Sequence, residues 1–81
     1  MKLPINDGLD WHCLRVMRLV RKDFGSKKTE ISDIQVTKFA KRIAVAYGIN
    51  ESDMLAALLR RGWFEPSAGR TYTVRWDKVP R

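Results

Sequence analysis

His12 and Cys13 are the only histidine and the only cysteine in the chain, and they are adjacent. Neighbouring side chains on a helix project about 100° apart, so the pair cannot readily share one substrate or one metal. A zinc site needs more ligands of these kinds than the chain possesses. No Gly-rich phosphate loop, nucleophile elbow or paired-carboxylate spacing accompanies them. We therefore expect no catalysis, no cofactor, no metal and no small-molecule ligand. His12 reads as a surface or boundary residue and Cys13 as a small core hydrophobe. A lone thiol rules out an intramolecular disulfide and suits a reducing interior.

Recognition of polyanions has more to draw on. Sixteen Lys and Arg stand against nine Asp and Glu, a net charge of +7 on 81 residues. That field favours nucleic acid first and an anionic membrane surface second; a generally basic soluble protein is the plain alternative. The cations recur at Arg15, Arg18, Arg21 and Lys22, at Lys27 and Lys28, at Lys38, Lys41 and Arg42, and at Arg60, Arg61, Arg70 and Arg75.

The elements that must carry these residues are legible from period and punctuation. The length bounds one domain, 1–81, and 44% hydrophobic residues suit a globular chain. No apolar run approaches the ~18 residues of a membrane span, and the first residues are too polar for a signal peptide, so we expect a cytoplasmic protein. Residues 1–8, with Pro4 and Asn6-Asp7-Gly8, read as an extended arm. From Leu9 to Phe24, Cys13, Val16, Met17, Val20 and Phe24 form an apolar stripe that Trp11, Leu14 and Leu19 widen, with Asp10 as a candidate cap. A basic amphipathic helix can also lie on a membrane, but the other apolar stripes need this one as a partner. Thr29 to Ser32 suggests a short strand. Ser32 or Asp33 can cap a second helix to Tyr47, whose inner face is Val36, Phe39, Ala40, Ile43, Ala44 and Tyr47.

Gly48 suits the left-handed position that ends a helix, and Asn50 can cap the next one, Glu51 to Arg61. Two registers compete for its buried face, and we expect the first, because an exposed Leu55 would need a partner. The apolar stripe favours Met54, Leu55, Leu58 and Leu59 inside, with Ala56 and Ala57 outside. A helix-turn-helix pairing instead buries Met54, Ala57 and Leu58 and exposes Leu55, which would then point to a protein contact. After Gly62 the period changes to two: Trp63-Phe64-Glu65, a turn at Pro66-Ser67-Ala68-Gly69, and a strand from Thr71 to Trp76 with Tyr72, Val74 and Trp76 inward. Residues 77–81, with Pro80, read as a frayed basic tail.

Ala44-x-x-x-Gly48-Ile49, the helix through Met54 and Leu59, the entry Arg61-Gly62-Trp63-Phe64 and the returning Tyr72-Thr73-Val74 together resemble the winged helix-turn-helix family of DNA-binding domains. The resemblance covers about half the chain. It implies a small α+β winged helix, three helices plus a C-terminal β-hairpin wing, with the Thr29–Ser32 strand beside the hairpin. It also implies that the second helix of the motif enters the major groove while the wing meets the backbone or minor groove. Carried onto these residues, Asn50, Glu51, Ser52 and Ala56 would face base edges and Arg60 the backbone. Arg70 and Arg75 would be wing contacts, and Lys38, Lys41 and Arg42 phosphate contacts. The second helix is longer than is usual for the motif, and Glu51 and Asp53 would repel phosphates unless they serve as helix caps and dipole partners.

The expected function is double-stranded DNA binding by a transcription regulator or a recombination or replication accessory factor. A protein partner or a homodimer is compatible with the same residues. The alternative is an interaction module that uses the fold on a protein without touching DNA.

Overall fold

A helix leaves four backbone N–H groups unpaired at its start and four carbonyls at its end, and this chain supplies partners at most of those places. The computed structural model describes residues 7–27 and 29–80. Three helices, α1 (Asp10–Phe24), α2 (Asp33–Tyr47) and α3 (Glu51–Arg60), are joined by three short strands, β1 (Thr29–Ser32), β2 (Phe64–Pro66) and β3 (Thr71–Val74). A single 3-10 turn, Trp76–Lys78, closes the described chain. α2 begins with a capping box: the Gln35 N–H donates to the Ser32 hydroxyl at 3.2 Å and the Ser32 N–H donates back to Gln35 Oε1 at 3.3 Å. It ends at Gly48, φ 67°, where only glycine avoids a Cβ penalty, and the Ile49 N–H folds back onto the Ala44 carbonyl at 2.8 Å. Asn50 caps α3 by accepting the Asp53 N–H at 3.1 Å. The turn between α2 and α3 is thus determined at both ends.

The strands form one antiparallel sheet in the order β1-β3-β2, with β3 in the middle. Ile31 lies opposite Tyr72, and Phe64 opposite Val74. Pro66, which has no N–H to donate, is tolerated because β2 is an edge strand. The sheet contributes Ile31, Phe64 and Val74 to a core filled by Val16 and Val20 of α1, Val36 and Ala44 of α2, and Met54 and Leu58 of α3. α2 lies at its centre, packed against α1, α3 and β1. The architecture is a small α+β fold with a winged-helix layout, the hairpin β2–β3 following the third helix.

Several expectations are corrected. Asp10 does not cap α1; Leu9 occupies that position without a side-chain cap, and the Asp10 carboxylate pairs with Arg61 instead. A guanidinium whose side chain is only 4% exposed competes better for a carboxylate than a solvent-facing amide does. α3 takes the register that the apolar stripe disfavoured: Met54, Ala57 and Leu58 are buried, Ala57 to 1%, while Leu55 and Leu59 pack half-buried at the margin. Ala57 lies with Met54 and Leu58 on the side of α3 that joins the core, and α3 packs against α2. Phe24, Tyr47 and Trp11 are exposed rather than inward. Phe24 meets Phe39 edge to face at 6.2 Å, and Trp11 and Tyr47 meet each other at 5.1 Å. β3 stops at Val74, so Trp76 leaves the strand for the 3-10 turn, and Val79 is buried rather than part of a frayed tail. Residues 1–6 of the arm expected over 1–8, and Lys28 and Arg81, lie outside the described residues.

Arg61 ties the ends of the fold together. Its Nη1 and Nη2 donate to Asp7 Oδ2 at 3.0 Å and Oδ1 at 2.8 Å, a bidentate pair, and Nη1 also reaches the Ala57 carbonyl at 2.7 Å. Asp7 in turn accepts the Leu9 N–H at 3.0 Å. The hydrogen bonds from Arg61 hold the Asp7 carboxyl well below the usual carboxylate range, and Asp7 pushes the Arg61 guanidinium still higher.

Two expected outcomes follow from this packing. Ala57→Leu, which forces an isobutyl group into the α2–α3 contact, destabilises the protein by about 1–3 kcal/mol, whereas Ala56→Leu on the exposed face leaves the urea midpoint near that of the parent. Because the folded-state value of Asp7 is depressed, its contribution is present above the unfolded value and is lost progressively as pH falls from about pH 5 down through the depressed folded value. Thermal melts therefore show an acid-side loss of stability that is flatter in Asp7→Asn, a variant already weaker at neutral pH by on the order of 3 kcal/mol.

Candidate nucleic-acid interface

Cations can contact an external anion only if the protein has not already paired them, so pairing sorts the candidates. Lys38, Lys41 and Arg42 lie exposed on α2, opposite the face that buries Val36, Phe39, Ala40, Ile43 and Ala44. Arg70 is exposed at the end of the β2–β3 turn. Among the described residues none of these four is engaged in an ion pair or a side-chain hydrogen bond. The Asp33 N–H donates to the Arg70 carbonyl at 2.9 Å, which fixes the turn beside the first residue of α2. Lys38 lies five residues further along, about 7–8 Å at helical rise. The wing turn is therefore anchored at the N-terminal end of the helix that carries the basic face.

The remaining candidates divide. Arg75 is bound by Asp77, through Nη2 at 3.1 Å, and by Glu65. These two acids raise its pKa, Asp77 most, and Arg75 lowers that of Asp77. Its charge is locally neutralised. Arg60 is half-exposed and shares Asp7 with Arg61 at 3.3 Å. Asn50, Ser52 and Ala56 are exposed at the start and on the outer side of α3, but the Asn50 side-chain oxygen already serves as the helix cap. Glu51 and Asp53 are exposed in the first turn, as dipole partners would be. The outer face of α2 also carries Ile34 and Val45, 62% and 66% exposed, on either side of Lys38 and Lys41.

The aromatic wing residues are structural: Trp63 and Phe64 are buried, and Tyr72 meets Phe64 edge to face at 6.2 Å. Leu55, whose exposure would have pointed to a protein contact, is half-buried against the core, and Trp63 is 7% exposed. His12 is half-buried between Trp11 and Tyr47, ring centroids 5.2 and 5.1 Å away, with its Nδ1 unpaired among the described residues. No group of three or more His, Cys, Asp or Glu able to hold a metal occurs among the described residues, and no helix there is long and apolar enough to cross a membrane.

Sequence reasoning overlooked one feature. A groove of about 600 Å³ runs between α1 and the C-terminal turn, lined by Leu14, Met17, Arg18 and Arg21 on one side and Trp76 and Val79 on the other. The Arg21 guanidinium lies 5.0 Å from the Trp76 ring centroid. The basic stripe of α1 was visible in the sequence; its wall was not, because Trp76 reads there as the end of a strand.

No family model, no curated protein and no solved structure matches this chain. Functional argument therefore rests on these residues.

Cys13 offers no chemistry at neutral pH: it is fully buried, and burial pushes its thiol up to about 11. A thiol reagent is expected to label the native protein only as fast as the fold opens, and at the free-thiol rate in urea. Prompt labelling of the folded protein would contradict this burial.

Proposed function

We propose that this domain binds double-stranded DNA mainly through its phosphate backbone, with Lys38, Lys41 and Arg42 of α2 and Arg70 of the wing turn as the contacts. The observation that carries this reading is the sorting of charge. Arg60, Arg61 and Arg75 are held by Asp7, Asp10, Glu65 and Asp77, while the exposed cations on α2 and the adjacent turn keep their full charge for an external anion. The winged-helix layout supports it by bringing a hairpin turn beside that helix.

The same charge pattern argues for positioning over base readout. α3 presents Ser52 and Ala56 outward, with little to hydrogen-bond a base edge, and Glu51 and Asp53 beside them. A low-specificity regulatory or architectural role follows, as a transcription regulator or a recombination or replication accessory factor acting beside another protein. The competing reading, a protein-interaction module, draws on the exposed carboxylates at the head of α3, which suit a basic partner better than phosphate. A cytoplasmic location accords with either.

Fluorescence anisotropy with a labelled random-sequence duplex at several salt concentrations tests the proposal. Affinity should fall steeply with salt, and Arg70→Ala and Lys38→Ala should each weaken binding and lower the log–log slope by about 0.9. Arg75→Ala, already neutralised, should change the slope little. No binding at low salt would reject the DNA reading in favour of the interaction module.

A further inference from the structure

The groove between α1 and the C-terminal turn lies outside the proposed DNA surface, and its lining has a consistent chemistry. Leu14, Met17, Arg18 and Arg21 are spaced i, i+3, i+4 and i+7, so they form one seam along α1. The seam is about 10 Å long. Val79 and Pro80 line the facing wall with Trp76. Leu14, Met17 and Val79 make an apolar floor, and the exposed Arg18 and Arg21 form a cationic rim with no carboxylate in the lining. The Arg18 side chain makes no ion pair or hydrogen bond among the described residues. A smaller recess of about 450 Å³ continues from Ser26 and Trp76 toward Thr73 and Asp77. At that end the acids Glu65 and Asp77 are paired with Arg75, so the groove is cationic at its α1 end and neutralised at the other.

We infer that this groove docks a short acidic segment of a protein partner, with one or two large apolar side chains inserted over Leu14, Met17 and Val79 and carboxylates held by Arg18 and Arg21. The apolar floor asks for side chains that a nucleic-acid backbone does not carry. The guanidinium of Arg21 covers a face of Trp76, which removes the platform a stacked base would use. A length of about 10 Å accommodates three extended residues or two helical turns, the scale of a linear motif. The surface is separate from Lys38, Lys41, Arg42 and Arg70, so a partner bound here leaves the proposed DNA contacts open.

Three labelled probes test the inference by anisotropy on the whole chain. These are a peptide of about twelve residues with two Leu among Glu and Asp, the same peptide with both Leu replaced by Ser, and single-stranded oligothymidylate. The Leu peptide should bind at least about tenfold more tightly than the other two, and Arg18→Glu should weaken it by about tenfold or more. Lys22→Glu, with the same change of net charge on the same helix but outside the groove, should leave its affinity within about twofold. Arg18→Glu should melt as the parent does, since Arg18 is exposed and unpaired. The Trp76 indole N–H resonance should shift on peptide binding. Equal affinity for the Ser peptide, equal loss in Lys22→Glu, or no peptide binding would each overturn the inference. Tighter binding of oligothymidylate that is lost in Arg18→Glu would make the groove a nucleic-acid site instead.

Discussion

A guanidinium cannot shed its proton inside a protein, so an Arg buried to the extent of Arg61 must find enough acceptors or unfold its surroundings. Arg61 finds Asp7, Asp10 and the Ala57 carbonyl. Those acceptors come from the segment before α1, from α1 itself and from α3. Its guanidinium carbon also lies 5.9 Å from the ring centroid of Trp63, the residue that leads into β2. One side chain therefore fixes where the first helix begins relative to the third helix and to the hairpin. The groove and the wing take their positions from elements that this contact joins.

The same contact shapes the electrostatics. Asp7 and Asp10 are drawn to Arg61 and Arg60, and Glu65 and Asp77 to Arg75. Four of the nine acids are thereby engaged by Arg60, Arg61 and Arg75. An overall excess of positive charge becomes a surface with distinct basic regions, on α2 with the wing turn and along α1. The fold does not assign these regions a function. Their unpaired charges, and the apolar floor of one of them, give each its reading.

Local signals were the legible part. A cap at Ser32 or Asp33, the left-handed Gly48, the Asn50 cap and the short strand at Thr29–Ser32 each depend on a few consecutive residues, and each is found where expected, with Ser32 as the cap and Gln35 completing a capping box that was not anticipated. Contacts between distant residues were not legible. Asp10 has the form of a cap, and only the approach of Arg61 across 51 positions of sequence gives it another partner. Ala57 carries little apolar weight in a helical pattern, yet it is buried in the core while Leu55 lies at its margin. Trp76 continues an alternating pattern past the point where the strand ends. Of the candidate interface, the positions of Lys38, Lys41, Arg42 and Arg70 could be anticipated from helix period and turn residues. The engagement of Arg75 by Glu65 and Asp77 could not, because Glu65 reaches it from β2 and Asp77 from a 3-10 turn where a frayed tail was expected.

The account stands on the claim that the unpaired cations of α2 and the wing turn form the DNA-facing surface. The most direct test is to titrate the isotopically labelled protein with a short random-sequence duplex and follow its amide resonances. The account predicts shifts concentrated at Lys38, Lys41, Arg42 and Arg70, with smaller ones at Asn50 and Ser52 and little change along Leu14 to Arg21. Shifts confined to α1 and Trp76, with α2 and the wing turn unmoved, would contradict it.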